Sequence, residues 1–188
     1  IMASISGFGR ESSMSDRPAF DMIAQAFSDT MFMTGDPDGP PMPVGQSIAD
    51  VMTGVHAVTA IGYSLFHRER TGKGQFVDIA MVDSLFHSQE LAVQGPSLTG
   101  MKWKPKRSGH RSRINSPLGA FKGPEGWIVI QCMEAQWPRF VEAIGQPELL
   151  TDKRFADLMG RMKNREELNL IIEKWMQGFE NDEQILTI

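Results

Sequence analysis

Gln46-Ser-Ile-Ala-Asp-Val-Met-Thr-Gly54, continued by Val55-His-Ala-Val-Thr-Ala-Ile-Gly-Tyr-Ser-Leu65, decides how this chain is read. Ile48, Val51, Met52, Val55, Val58, Ile61 and Leu65 recur at helical spacing. Ala49, Gly54, Ala57, Ala60 and Gly62 thin the other faces enough for close packing on a helix or sheet. The stretch predicts one long, largely apolar helix with Asp50 in its first turn. A negative charge there is stabilised by the helix dipole and by unpaired backbone N–H groups. Asp50 can be a plain capping carboxylate or one held ionised for chemistry, and the local sequence leaves both readings open.

Strand and helix signals alternate on either side of that helix. Residues 1–6 predict a strand, Gly7-Phe-Gly9 a turn, and Phe20 to Met33 a helix with Phe20, Ile23, Ala24, Phe27 and Met31 on one face. Gly39-Pro-Pro41 leads into the long helix. Thr71-Gly-Lys-Gly74 precedes a short strand, Gln75 to Ala80, and a helix follows from Met81 to about Gln94. Strand, helix, strand, helix predicts an α/β layer with parallel pairing, over residues 1–95. From Gly95 to Asn115 the pattern dissolves into Pro, Gly, Ser and the bases Lys102, Lys104, Lys106, Arg107, Arg111 and Arg113, so residues 96–116 read as a linker or binding loop. Pro117–Lys122 and Trp127–Cys132 then flank Gly123-Pro-Glu-Gly126 as a β-hairpin. Helices are expected at about 134–145, 164–178 and from 181, which makes 117–188 a smaller α+β unit. Both ends look abrupt, the first a strand expected to be buried, with no helix or loop before it, and the last the apolar run Gln184-Ile-Leu-Thr-Ile188. The expectation is an internal segment of a longer protein.

With 188 residues, 41% of them hydrophobic, the chain can bury a substantial core. Its 19 basic and 23 acidic residues give a formal charge of -4, and so no general electrostatic reason to bind nucleic acid or an anionic membrane. The single cysteine, Cys132, has no partner for an internal disulfide and sits in a strand-like apolar run; a buried thiol in a reducing cytoplasm is expected. No signal-peptide pattern opens the chain, and the apolar helix carries Asp50, Thr53, His56, Thr59 and Ser64, so a membrane span is not expected.

Two chemistries are set aside on spacing. His56, His67, His87 and His110 show no paired ligand spacing and one cysteine cannot make a zinc ribbon, so no metal site is expected. Ser6-Gly-Phe-Gly9 lacks the Gly-x-Ser-x-Gly elbow of a hydrolase. Gly7 and Gly9 resemble a dinucleotide turn only in part, because a third glycine and a helix start are missing; a tight turn is the simpler reading, and a nicotinamide dehydrogenase is disfavoured.

Ser6-Gly-Phe-Gly9, Arg17-Pro-Ala-Phe-Asp21-Met-Ile-Ala-Gln-Ala26, Thr34-Gly-Asp-Pro-Asp-Gly-Pro-Pro41, Ile48-Ala-Asp50 through Gly54, Arg68-Glu-Arg-Thr-Gly-Lys-Gly-Gln75 and Val77-Asp-Ile-Ala-Met-Val-Asp83 follow one another in an order that resembles the family III coenzyme A transferases. That group includes formyl-CoA transferase, carnitine-CoA transferase and, as a divergent branch, α-methylacyl-CoA racemase. The resemblance covers nearly the whole chain. It implies a Rossmann-like large domain, here partial, a small domain, and an interlocked homodimer whose linkers thread through the partner ring.

By that resemblance Asp50 matches the family's catalytic aspartate. The carboxylate would attack an acyl-CoA thioester to give an acyl-aspartyl anhydride, CoA thiolate would return to give an aspartyl-CoA thioester, and an acceptor carboxylic acid would carry CoA away. Coenzyme A is then a substrate and no cofactor is required. A carboxylate is a weak nucleophile that must be ionised and held dry, and a helix N-terminus in an apolar surround is expected to supply both. The resemblance also places Ser6 and Gly7 near CoA, Phe20 and Asp21 near the reacting centre, and Met81 beside the nucleotide or pantetheine. Asp21 as a helix N-terminal charge and Met81 as core filling stand as the structural alternatives. The racemase branch uses a histidine where this chain has Phe20, so a racemase-like isomerase lacks its acid–base group; a non-catalytic dimeric scaffold is the other alternative. Thr71-Gly-Lys-Gly-Gln75 suits either a phosphate or a helix C-cap. Arg107-Ser-Gly-His110 departs from the family's Arg-x-Gly-Asn, and the bases between Lys102 and Arg113 are either a solvated loop or contacts for the CoA 3′-phosphate.

Overall fold

The protein is described by a computed structural model covering all 188 residues, which divides into two units, Ile1–Arg107 and Ser108–Ile188. In the first unit β1 (Met2–Ser6) pairs in parallel with β2 (Phe76–Ala80), Met2 opposite Phe76 and Ser6 opposite Ala80; β1 is not buried as expected, because β2 is its one strand neighbour in this chain and Met2 and Ile5 are exposed. Parallel neighbours need a crossover, and here it is helical. It consists of α1 (Asp21–Phe27), α2 (Thr30–Met33) and the long α3 (Ile48–Thr71). α4 (Met81–Phe86) leaves directly from β2 and, like α1, packs on α3. Alanine at the contacts lets these helices approach: Ala24, Ala49, Met81 and Leu85 form the buried centre, with Ile48, Met52 and Val82 around it.

The long helix is present as its periodicity predicts and ends on a glycine. Gly72 has φ 70° and its N–H donates to the Arg68 carbonyl at 2.8 Å, so Thr71-Gly-Lys-Gly74 acts as a C-cap. By length and composition α3 could cross a bilayer, with a mean hydropathy of 1.2. Its Ala49, Thr53, Ala57 and Ser64 are nevertheless buried, and the helix packs on α1, α4, β1 and β2.

Two expected helices are broken by tertiary contacts. The stretch from Phe20 to Met33 divides at Ser28 and Asp29. Ser28 is buried, its hydroxyl shared with Thr30 Oγ1 at 2.9 Å, and Asp29 adopts φ 63° to restart the chain as α2. The stretch from Met81 stops at Phe86, and the chain resumes as a π-turn at Glu90–Gln94 and α5 (Gly95–Leu98). Here Trp103 folds back: its indole N–H donates to the Leu91 carbonyl at 3.0 Å, and its ring lies where a Cβ on Gly95 would come within 2.7 Å. The basic segment expected as a linker over 96–116 is therefore divided. Residues up to Arg107 pack with the first unit and those from Ser108 with the second.

The second unit is a hairpin covered by helices. β3 (Leu118–Lys122) and β4 (Trp127–Gln131) pair antiparallel, followed by α6 (Trp137–Ala143), α7 (Leu158–Lys163), α8 (Arg165–Met176) and α9 (Asp182–Leu186), with single 3₁₀ turns at Glu134–Gln136 and Pro147–Leu150. The helix expected over 164–178 is α8, and a further short helix, α7, precedes it: Asp157 caps α7 by accepting the Gly160 N–H at 2.7 Å, and Asn164 separates the two. Phe121, Phe155, Leu168, Ile172 and Met176 lie at the centre of the core. Cys132 is buried beside it, and that burial pushes its thiol up to about 11, which keeps it protonated and unreactive at neutral pH. Arg161 is only 1% exposed. Its guanidinium donates to the carbonyls of Ser116 and Phe155, pairs with Glu134 and lies 4.6 Å from the centre of the Trp137 ring.

Candidate active site

Asp21 and Asp50, distant in sequence, meet where α1 and α3 begin. A helix starts with backbone N–H groups that have no partner within the helix. Ser47 occupies the N-cap of α3, but its side chain makes no capping bond. The Asp21 carboxylate does this instead: Oδ1 accepts the Ala49 N–H at 2.7 Å and the Asp50 N–H at 3.4 Å. Those are the second and third residues of α3, the donors that a local cap would have taken. Asp21 thus serves as a helix N-terminal charge on a helix other than its own.

That division of labour changes the reading of Asp50. Its carboxylate is exposed and makes no hydrogen bond or ion pair within this chain, so it is not a capping group. The dry apolar surround expected for it is not formed by these residues: Val51 and Val55 on the following turns are exposed as well. The helix charge is retained because Asp50 lies in the first turn, whereas exclusion of water is not achieved by the elements in this unit.

Behind the carboxylate pair sits Gln25, which the sequence reading had placed only within a motif. It is 1% exposed. Its Oε1 accepts the Val44 N–H at 2.9 Å, and its Nε2 donates to Asp21 Oδ2 at 2.6 Å and to the Gln46 carbonyl at 3.3 Å. A glutamine four residues after an aspartate on a predicted helix, spaced to pair with it, is the sequence signal that points to it.

The other expected site residues fall around this centre with different roles. The Ser6 hydroxyl accepts the Gly9 N–H at 3.0 Å and closes the turn after β1. The Gly7 carbonyl accepts the Val82 N–H at 3.2 Å, tying that turn to α4. A Cβ on Gly7 would come within 2.4 Å of the Ala19 Cβ, so only glycine lets this turn approach the segment leading to Asp21. Phe20 precedes α1 and is 80% exposed, an apolar side chain at the edge of the site. Met81 is buried among Ala24, Ala49 and Leu85, where it fills the core.

Two further features escaped the sequence reading. His56 on α3 and His87 after α4 meet edge-on with ring centres 5.4 Å apart, and His56 Nδ1 lies 2.8 Å from the Met52 carbonyl; with Asp78 and Asp83 they line a cavity of about 340 Å³. Arg107 belongs to the first unit and ties down the loop that leads towards α3. It donates to the carbonyls of Phe32, Asp36 and Gly39 at 3.1, 2.9 and 2.8 Å. Arg107→Met removes all three donors, so amide exchange across residues 32–39 should rise about tenfold or more through local opening. Arg107→Lys should recover only part of the protection, because an ammonium cannot span three carbonyls as a planar guanidinium does. Mass-resolved hydrogen exchange distinguishes these outcomes.

A two-stranded α/β unit whose first-turn carboxylate is freed by a second carboxylate, joined to a hairpin-and-helix unit, defines a class also found by comparison. The sequence model of CoA-transferase family III matches residues 1–187, and the chain belongs to that family. It is 39% identical over 176 residues to the acetyl-CoA:oxalate CoA-transferase of Acetobacter aceti, covering 93% of this chain and 45% of that protein. To the succinyl-CoA:mesaconate CoA-transferase of Haloarcula hispanica it is 36% identical over 187 residues, covering 97% and 46%. A solved CaiB/BaiF family protein from Brucella suis superposes with a TM-score of 0.80 at 30% identity, over 100% of this chain and 49% of the other. The chain spans about half the length of the curated relatives it matches. Transfer of CoA between an acyl-CoA and a carboxylate is the shared chemistry of those named relatives.

Proposed function

We propose that the intact protein moves coenzyme A from an acyl-CoA thioester to a carboxylic acid, with Asp50 as the covalent nucleophile. The observation that carries this reading is the unpaired Asp50 carboxylate on a helix start capped by Asp21. The ionised carboxylate attacks the thioester carbonyl and expels CoA thiolate, forming the acyl-aspartyl anhydride. The thiolate then attacks the aspartyl carbonyl and releases the donor acid, leaving an aspartyl-CoA thioester. An acceptor carboxylate attacks that thioester, thiolate leaves, and its return to the acceptor's carbonyl gives the new acyl-CoA and regenerates Asp50. Acceptors are drawn from small dicarboxylic acids, since oxalate and mesaconate name the relatives. Ser6, Gly7, Phe20 and Asp21 lie at or beside the substrate, and Phe20 has no proton to exchange, which disfavours a racemase. The working form in this reading is a cytoplasmic, interlocked homodimer with a Rossmann-like large domain. Exposed Ile5, Val55, Val58 and Tyr63 on β1 and α3 support a larger assembly.

The test uses the full-length protein with acetyl-, succinyl- and formyl-CoA against oxalate, mesaconate, malate and succinate. Mass spectrometry should find a new acyl-CoA for at least one pair, and hydroxylamine should trap a hydroxamate on the peptide that contains Asp50. Failure of every pair to exchange CoA would favour the dimeric scaffold.

A further inference from the structure

We propose that Gln25 is a positioning residue for the nucleophile: it turns the Asp21 carboxylate so that one oxygen fixes the first turn of α3, and with it Asp50. The inference rests on Asp50 being the nucleophile. It goes beyond that reading by assigning the device that orients it.

The argument begins with the amide. Gln25 Oε1 is occupied by the Val44 N–H, a donor, so the opposite side of the amide must present Nε2. Nε2 then faces Asp21 Oδ2 at 2.6 Å. Rotating the amide by half a turn would set Nε2 against an N–H and Oε1 against a carboxylate, two mismatches in a buried site. With Oδ2 engaged, Asp21 Oδ1 is left to face Ala49 and Asp50. One buried side chain therefore joins α1, the extended segment at Val44–Gln46 and the head of α3. Stability of α3 alone does not require this. Ser47 already stands at the N-cap and could take the same donors locally, yet it makes no such bond. Capping from α1 adds what a local serine cannot, a fixed position of Asp50 relative to Phe20 and Asp21.

The replacement that separates position from packing is Gln25→Glu. When protonated, the new carboxyl keeps two of the three bonds: its O–H donates to Asp21 and its carbonyl oxygen accepts from Val44, and only the longer bond to the Gln46 carbonyl is lost. When ionised it sets two carboxylates against each other at hydrogen-bond distance, and the pair releases its shared proton at an apparent pKa raised by that repulsion. Of the elements packed on α1, α3 contributes Asp50 and His56 in its first half, α4 contributes Asp83, and α2 contributes no ionisable group. None of these side chains bonds to Gln25 or Asp21.

Two readouts on the full-length protein test the proposal between pH 5.5 and 9. One is amide exchange over residues 44–52, corrected for intrinsic rates, and the other is the rate of hydroxylamine-trapped acylation at Asp50 with acetyl-CoA. The ratio of Gln25→Glu to wild type in acylation rate should fall about tenfold or more with rising pH, with exchange protection lost in parallel and KM for acetyl-CoA changed much less. Gln25→Ala should be slow at every pH, with no such trend. A Gln25→Glu profile parallel to wild type would overturn the proposal. So would lost protection with undiminished acylation, which leaves Gln25 as packing only. If wild type forms no adduct with acetyl-, succinyl- or formyl-CoA, the nucleophile reading fails and the proposal falls with it, and the exchange data show whether the hydrogen-bond chain stands regardless.

Discussion

Asp50→Ala should abolish CoA transfer while leaving the fold intact. In the proposed mechanism, losing this carboxylate removes the covalent intermediate itself, so turnover should fall by about four orders of magnitude or more. The fold should be indifferent, because the Asp50 carboxylate bonds nothing in this chain while the backbone N–H held by Asp21 is unchanged in alanine. The thermal midpoint and the affinity for free CoA should therefore match wild type. Asp50→Asn should be as inactive as alanine, since it keeps size and polarity and loses only the nucleophilic oxygen. Turnover above about one per cent of wild type in either variant, by steady-state assay after removal of contaminating wild type, would exclude Asp50 from the covalent role. Asp21→Ala should behave differently. It removes the present acceptor of the Ala49 and Asp50 N–H groups and leaves one N–H of the buried Gln25 amide unpaired, so even with Ser47 capping locally it should lose stability by about 1 kcal/mol together with activity.

Arg161→Met should strongly destabilise the second unit. Two backbone carbonyls, Ser116 and Phe155, lose a charged donor in a buried site, at about 1–3 kcal/mol each before relaxation. Glu134 is left behind, but its side chain is 58% exposed and water can solvate it, so no buried unpaired anion results. Methionine recovers part of the packing on Trp137. A net loss of about 3 kcal/mol is expected, read as a lower urea midpoint for the unfolding of this unit at an unchanged slope. Glu134→Gln should cost much less, because the amide oxygen still accepts from the guanidinium. Equal losses from both variants would mean that the ion pair, and not the carbonyl anchoring, holds Arg161 in place.

The elements most legible in the sequence were those built by local rules. The strand signals in residues 1–6 and 75–80 and the helical spacing from Ile48 carried enough signal to place both strands and the long helix, and the hairpin around Gly123–Gly126 followed from its turn residues. The breaks were not legible. Nothing local stops a helix at Ser28, where Phe27 and Met31 continue the apolar face; the buried hydroxyl and the left-handed Asp29 belong to the packed unit. In the same way Trp103 acts on Gly95 and Leu91 across a turn that propensity reads as linker.

What the sequence by itself determined was the order of motifs, and so the family, together with a carboxylate in the first turn of α3. Periodicity and spacing are properties of the chain and survive without knowledge of what packs on what. Which carboxylate caps and which is left free was decided only in three dimensions. Asp21 and Asp50 are both first-turn acids, equivalent under local rules. Packing of α1 on α3 brings Asp21 to the N–H groups of Ala49 and Asp50, and the buried Gln25 amide sets which oxygen faces them. A hydrogen bond between residues far apart in the chain depends on relative helix position to a fraction of an ångström, and no pattern of residue types encodes that directly.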